Sequence, residues 1–124
     1  MLAPTHDNTR QHATAASTTV PEIPPGNAVV HLRGILDVRS VGDVRQTLNT
    51  VIDTSAGDVI VDLEALDAVD ATGLGLLVAT HRRTQSLGRQ LVLWHPLPSV
   101  VRILAVTRLH RVLHVERTPL PIGA

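Results

Sequence analysis

An α/β fold, with a mostly parallel sheet of four to five strands joined by crossover helices, follows from three observations. Short runs rich in Val, Leu and Ile recur at residues 28–32, 59–63 and 90–94. Between them lie longer segments whose apolar residues fall three and four apart, the spacing of one helical face. Strand and helix therefore alternate, an order satisfied by parallel pairing with right-handed crossovers.

Residues 1–20 are rich in Thr, Ala, Ser, His and Gln and show neither periodicity. They cannot bury enough surface to offset their ordering entropy, and they read as a disordered tail. Pro21, Pro24, Pro25 and Gly26 punctuate the entry to the fold. A short first strand at residues 18–23 is compatible with that segment, and the first clear strand is 28–32, bounded by Gly34. Val38, Val41, Val44, Leu48, Val51 and Ile52 then share a helical face, and Asp37 or Ser40 can cap that helix. Residues 59–63 are continuously apolar apart from Asp62, as expected of a central strand covered on both faces.

An acidic loop follows, and a second helix starts near Leu74, continues through Leu77 and Val78, and ends at Leu87 and Gly88. Another strand spans 90–94. Pro96 and Pro98 open a third helix, with Leu97, Val100, Val101 and Leu104 on one face; proline is tolerated where the first turn needs no donor. Residues 112–115 read as a last strand, and Pro119 and Pro121 disfavour any further helix. The expected organisation is one domain over 21–117, between tails at 1–20 and 118–124.

A chain of 124 residues suits a single two-layer core. That core must be aliphatic, because Phe and Tyr are absent and Trp94 is the sole aromatic. Formal charge is zero and arginine supplies every cation, which removes the electrostatic footprint of a nucleic-acid binder. Without cysteine there is no disulfide, thiolate metal site or thiol switch. No apolar run approaches the ~18 residues needed to span a bilayer, and the N-terminus lacks a signal-peptide pattern. A cytoplasmic protein is expected.

Catalytic motifs fail on their residues. Gly73 and Gly75 match part of a dinucleotide fingerprint, but Val78 occupies the place of its third glycine and no acidic residue follows at the required distance. A phosphate-binding loop is excluded by the absence of lysine. His110 and His114 have a spacing that suits metal ligands on a helix, yet their segment reads as loop and strand, so surface or packing roles are expected. His81, Arg82 and Arg83 read as a solvated helix face. Asp62, Glu64, Asp67 and Asp70 read as a soluble turn whose last member caps a helix, a role compatible with contact to a partner.

Three stretches carry a family resemblance. Residues 32–37 (LRGILD), residues 59–63 (VIVDL) with 66–75 (LDAVDATGLG), and residues 88–93 (GRQLVL) resemble successive signatures of the STAS domain, the domain shared by sulfate transporters and bacterial anti-sigma factor antagonists. The similarity covers about residues 28–115. It implies a STAS-like sheet and a binding protein rather than an enzyme, with no cofactor and no metal. In stand-alone members the antagonist docks onto an anti-sigma factor that is also a kinase-like ATPase and so releases a sigma factor; phosphorylation at a helix N-terminus ends the docking.

The residue that takes the phosphate directly follows the Asp of the Asp-x-Ser/Thr-Gly motif. Here that residue is Ala71, which has no hydroxyl, and the neighbouring Thr72 is expected to be a helix-start residue bonded to a backbone N–H. The partner-binding surface implied by the resemblance comprises Asp37, Asp70, Ala71, Thr72, Gly73 and Leu74, with the glycines admitting the partner's backbone. Members also commonly close with a helix that this C-terminus cannot readily form, which leaves monomer and homodimer both open. Two alternatives remain: an accessory subunit of a transporter ATPase, and an anion- or nucleotide-sensing domain at Thr72–Gly75, which the adjacent Asp70 disfavours.

Overall fold

The computed structural model describes residues 13–18 and 26–117. Its sheet holds five strands in the order β1 (Thr14–Thr18), β2 (Ala28–Leu36), β3 (Val59–Val69), β4 (Leu91–Trp94) and β5 (His114–Glu116). β1 is antiparallel to β2, and every other pairing is parallel. Three helices connect the parallel strands: α1 (Val41–Thr54), α2 (Ala71–Ser86) and α3 (Pro98–Val106). The mostly parallel α/β architecture expected from the sequence is therefore present.

β1 corrects the reading of residues 1–20 as a tail. Its five residues pair with β2 from Thr14↔Arg33 to Thr18↔Val29, and Ala13 N–H donates to the Ile35 carbonyl at 2.7 Å. Besides these ladder bonds the segment turns Ala13 and Ala15 toward the core, side chains too small to stand out as an apolar pattern in so Thr- and Ala-rich a stretch. Residues 19–23 of the expected first strand, the remainder of the tail and residues 118–124 lie outside the described residues.

The core is aliphatic throughout. Leu32, Leu36, Leu48, Ile52, Leu63, Leu66, Leu77, Leu91, Leu93 and Leu104 are each less than 2 % exposed, and a fully buried side chain of this size contributes ~2 kcal/mol. One face of β2, β3 and β4 packs with α1, α2 and α3 into this cluster. Alternation sends Val29, Ile60 and Val92 to the opposite face, where they form a small buried cluster with Trp94. Beside it His31 Nδ1 lies 2.7 Å from Asp62 Oδ2.

α1 buries Val41, Val44, Leu48, Val51 and Ile52, the stripe the spacing predicts. Val38 is a correction: it precedes the helix in a turn and is 69 % exposed. The Asp37 carbonyl accepts Ser40 N–H and Val41 N–H, closing a turn over residues 38–40 that leads into α1.

Two further strand boundaries differ from expectation. β2 runs through Gly34, whose φ of +89° a glycine adopts without strain. β3 does not end at Leu63 but continues through the supposed acidic loop to Val69. Two register shifts against β2 explain why it was hidden: His31 and Arg33 face Asp62 and Ala65, and Gly34 and Ile35 face Leu66 and Ala68. Each inserts one extra residue into β3, a β-bulge. Its inward residues become Leu63, Leu66 and Val69, a period of three instead of two.

The last strand is also displaced. Leu109–Arg111 forms a 3-10 turn and β5 starts at His114, so Val112 stands outside the sheet, 49 % exposed.

Two arginines tie the C-terminal end of α1 to the rest of the fold: Arg83 of α2 donates to Asn49 Oδ1 and Asp53 Oδ1, and Arg89 holds the turn that follows. Arg89 donates to the Gly57 carbonyl through Nε, to the Ile52 carbonyl at 2.8 Å and to Ser55 Oγ at 2.7 Å. The guanidinium thus satisfies a terminal helix carbonyl and fixes the turn leading into β3. Arg89→Ala is expected to destabilise the domain by about 2 kcal/mol, the range for hydrogen bonds to a charged group. Arg89→Lys should recover little of this, because an ammonium lacks the planar fork. Urea denaturation of the three proteins checks both statements.

Candidate functional site at the ends of β2 and β3

Parallel pairing brings the two motifs together. Leu36 pairs with Val69 at the last rung of the β2–β3 ladder, and Asp37 and Asp70 follow directly on their respective strands. Asp70 N–H donates to the Leu36 carbonyl at 3.1 Å, which closes the rung. Both carboxylates therefore emerge side by side at the C-terminal edge of the sheet, where α/β folds build their sites, and each precedes a helix whose positive end favours it.

Their hydrogen bonds fix them. Asp70 is the N-cap of α2, and its Oδ1 accepts Gly73 N–H at 2.9 Å. Asp37 Oδ1 accepts Arg39 N–H at 3.0 Å and Ser40 N–H at 3.3 Å. Ser40 is formally the N-cap of α1 but makes no cap bond. Its buried hydroxyl instead accepts Asp37 N–H and donates to the Ile35 carbonyl, each at 3.0 Å. In both aspartates Oδ2 has no protein partner among the described residues, so each presents one oxygen outward from an anchored side chain.

The remaining candidates separate into two groups. Ala71, Thr72 and Gly75 are exposed on the first turns of α2, whereas Gly73 and Leu74 are buried. Thr72 corrects the expectation of an inward cap: Asp70 makes the cap bond, and the Thr72 hydroxyl has no hydrogen bond among the described residues. Gly73 also departs from its expected role. A Cβ there would lie 2.6 Å from Val69 Cγ2, 2.7 Å from the Leu36 carbonyl oxygen and 2.8 Å from Leu36 Cγ. Gly73 thus lets α2 settle onto the ends of β2 and β3, while Gly75 has nothing within 4 Å of such a Cβ.

Three features were missed by sequence reasoning. Ser40 as the internal brace of Asp37 is legible only as a serine three residues after an aspartate at a helix start. Gly75, not Gly73, as the open glycine follows from helical spacing, since Gly75 shares the face of Thr72 and Ala79 rather than that of Leu74 and Leu77. The burial of Leu74 follows from the same stripe.

The two glycines should respond to alanine with opposite signs. Gly73→Ala forces a methyl against main chain and should cost about 2 kcal/mol, overpacking outweighing helix propensity. Gly75→Ala should stabilise by roughly 0.5–1 kcal/mol, the usual gain at an open helical position. Thermal or chemical unfolding of the pair provides the check.

Comparison with known proteins agrees with this architecture. The STAS domain model matches residues 18–119. The Anti-sigma-B factor antagonist of Staphylococcus aureus is 29 % identical over 87 residues, 70 % of this chain and 81 % of that protein. An anti-sigma factor antagonist from Mycobacterium paratuberculosis superposes with a TM-score of 0.69 at 22 % identity, covering 86 % of each chain. An anti-sigma-factor antagonist (STAS) domain protein from Planctomyces limnophilus gives 0.70 at 19 % identity, over 85 % of this chain and 91 % of that one. At such identities the two structures speak for the fold alone. Among the described residues no helix is long and apolar enough to cross a membrane. With five strands, the paired aspartate turns and a model match over most of its length, the chain belongs to the STAS domain family.

Proposed function

We propose that the protein is an anti-sigma factor antagonist, which binds an anti-sigma factor, a kinase-like ATPase, and so frees a sigma factor for transcription. The observation that carries the reading is the Leu36↔Val69 rung, which sets Asp37 and Asp70 side by side next to the exposed turn Ala71, Thr72 and Gly75. The name of the staphylococcal relative supports it. Two oriented carboxylate oxygens suit arginine or lysine on a partner. The small residues beside them let the partner's main chain come close, with little side-chain entropy to lose.

On this reading the docking is insensitive to phosphorylation at the usual place. A phosphoryl group there would add nearly two negative charges beside Asp70, but Ala71 offers no hydroxyl. The protein would remain competent to bind whatever the activity of its partner kinase.

Affinity capture from the native cell with the full chain as bait should recover a small kinase-like ATPase that itself binds a sigma factor. Recovery of a membrane transport complex instead would overturn the proposal. With the captured partner, Ala71→Glu should bind at least tenfold more weakly, since like charges in a desolvated interface cost several kcal/mol. Helix stability should be retained, because glutamate is favourable in a first turn. Gly75→Ala should also weaken binding while the fold tightens, a combination that separates the interface from folding. Calorimetric affinities within twofold of wild type for both variants would place the interface elsewhere. Incubation with the partner and ATP should leave the protein unmodified and bound; mass spectrometry finding phosphate on Thr72 together with release would refute the claim of insensitivity.

A further inference from the structure

The zero net charge conceals a division. Residues 27–70 carry eight carboxylates and three arginines, whereas residues 71–117 carry seven arginines and one carboxylate, Glu116. Four of those arginines, Arg102, Arg108, Arg111 and Arg117, lie on or beside α3, the 3-10 turn and β5, at the edge of the sheet opposite β1. All four are exposed and make no ion pair among the described residues.

Apolar surface coincides with this charge. A cavity of about 360 Å³ is lined by His95, Pro96, Pro98, Val101, Arg102 and Arg117. A second of about 270 Å³ is lined by Val101, Leu104, Ala105, His110, Val115 and Arg117. Shared walls at Val101 and Arg117 make them one groove between α3 and β5. Val106 is 74 % exposed at the end of α3, and Val112, past the 3-10 turn, is half-exposed. Carboxylates are confined to the groove's margins: Glu64 stands 3.9 Å from His95, and Glu116 lies 3.3 Å from His114 on the far side of β5.

The strand forming one wall is also open on its outer side. β5 pairs only with β4 among the described strands, and the Glu116 carbonyl accepts His95 N–H at 2.7 Å. Alternation along the strand then turns the N–H and C=O of Val115 outward.

We infer that this groove is a second docking surface, independent of the one at Asp37 and Asp70, and that it takes an extended segment of a partner protein that carries aliphatic and acidic residues in turn at every second position, on the face it presents to the groove. Such a segment adds to the edge of β5 through the main chain of Val115, as peptides do at exposed sheet edges. Residues two apart share the groove side of such a strand, so the aliphatic ones enter over Val101, Leu104 and Val115 and the acidic ones meet Arg102 and Arg117, which line the same groove. Charge complementarity argues for an acidic occupant, the outward main chain of Val115 argues for a polypeptide, and the lining holds no Phe, Tyr or Trp of the kind that forms a stacking platform for single-stranded nucleic acid.

The test uses the full chain and a dye-labelled peptide of about ten residues repeating Leu-Ser-Glu-Ser, which sets Leu and Glu on one face of a strand, read by fluorescence anisotropy. Arg102→Glu combined with Arg117→Glu should weaken binding at least tenfold, whereas Arg45→Glu, an exposed reversal on α1, should leave it within twofold. A peptide of the same charge with every Leu replaced by Ser should bind at least fivefold more weakly, and amide signals of Val115 and Arg117 should shift on titration with the Leu-containing peptide. Absence of binding, equal affinity for both peptides, or indifference to the double reversal would overturn the inference. So would retention on phosphatidylserine vesicles without peptide binding, which would assign the basic edge to a membrane surface. Self-association that the double reversal abolishes, again without peptide binding, would assign it to the acidic side of a second copy.

Discussion

The contact on which the site depends is the seat of the α2 N-terminus on the last rung of the β2–β3 ladder. Gly73 lies where a methyl would overlap the Leu36 carbonyl, Leu36 Cγ and Val69 Cγ2. Because that space is already filled, α2 starts directly at the strand ends, with Asp70 as its cap and Leu74 and Leu77 turned into the core. The rung itself exists because β3 holds two bulged residues more than β2 over the same span. Without them Leu36 would pair two residues earlier on β3, and Asp37 would no longer stand level with Asp70. The bulges thus set which side chains meet at the sheet edge, a common use of such irregularities beside functional sites.

Much of the fold was legible because side-chain periodicity reports burial by one layer. The α1 stripe, the Pro98 start of α3 and the termination of α2 at Gly88, with φ of +72°, all follow from local rules. What escaped was held by main chain or by distant partners. β1 shows no clear apolar pattern because the residues it turns to the core are alanines, and the second half of β3 hid behind a three-residue period produced by its bulges. Asp37 and Asp70 were recognisable as residues at helix starts. The inward role of Gly73 depends on Leu36, brought there only by parallel pairing, so no local spacing contains it. Arg89 is invisible for the same reason, since its acceptors lie one strand and one helix away.

Net charge is a poor summary of this molecule. A balance of eleven cations and eleven anions describes its solubility and says nothing of local fields, which depend on separation relative to a Debye length of about 8 Å at physiological salt. Chain order is converted to spatial order by the fold, because the carboxylates sit on α1, β3 and the turns beside them, and the arginines of the second half sit on α2, the turn after it, α3 and the segments flanking β5. Counting charge separately in the two halves of the sequence exposes the division, and that count bears on partners more directly than the total does.

Asp37 and Asp70 each serve the fold and remain available to a partner, and the two roles do not compete. A carboxylate offers four acceptor directions on two oxygens. In both residues Oδ1 satisfies main-chain N–H groups at a helix start, which restricts the side chain to one rotamer and leaves Oδ2 toward solvent. A partner's guanidinium then meets two oxygens already held in place, and little rotamer freedom remains to be lost on binding. Removing either carboxylate would also remove cap bonds worth about 1 kcal/mol, so an aspartate-to-alanine loss of binding mixes interface with folding. Ala71 and Gly75 make no such bonds. Substitutions there can weaken the docking without loosening the fold, and the proposed docking stands or falls on them.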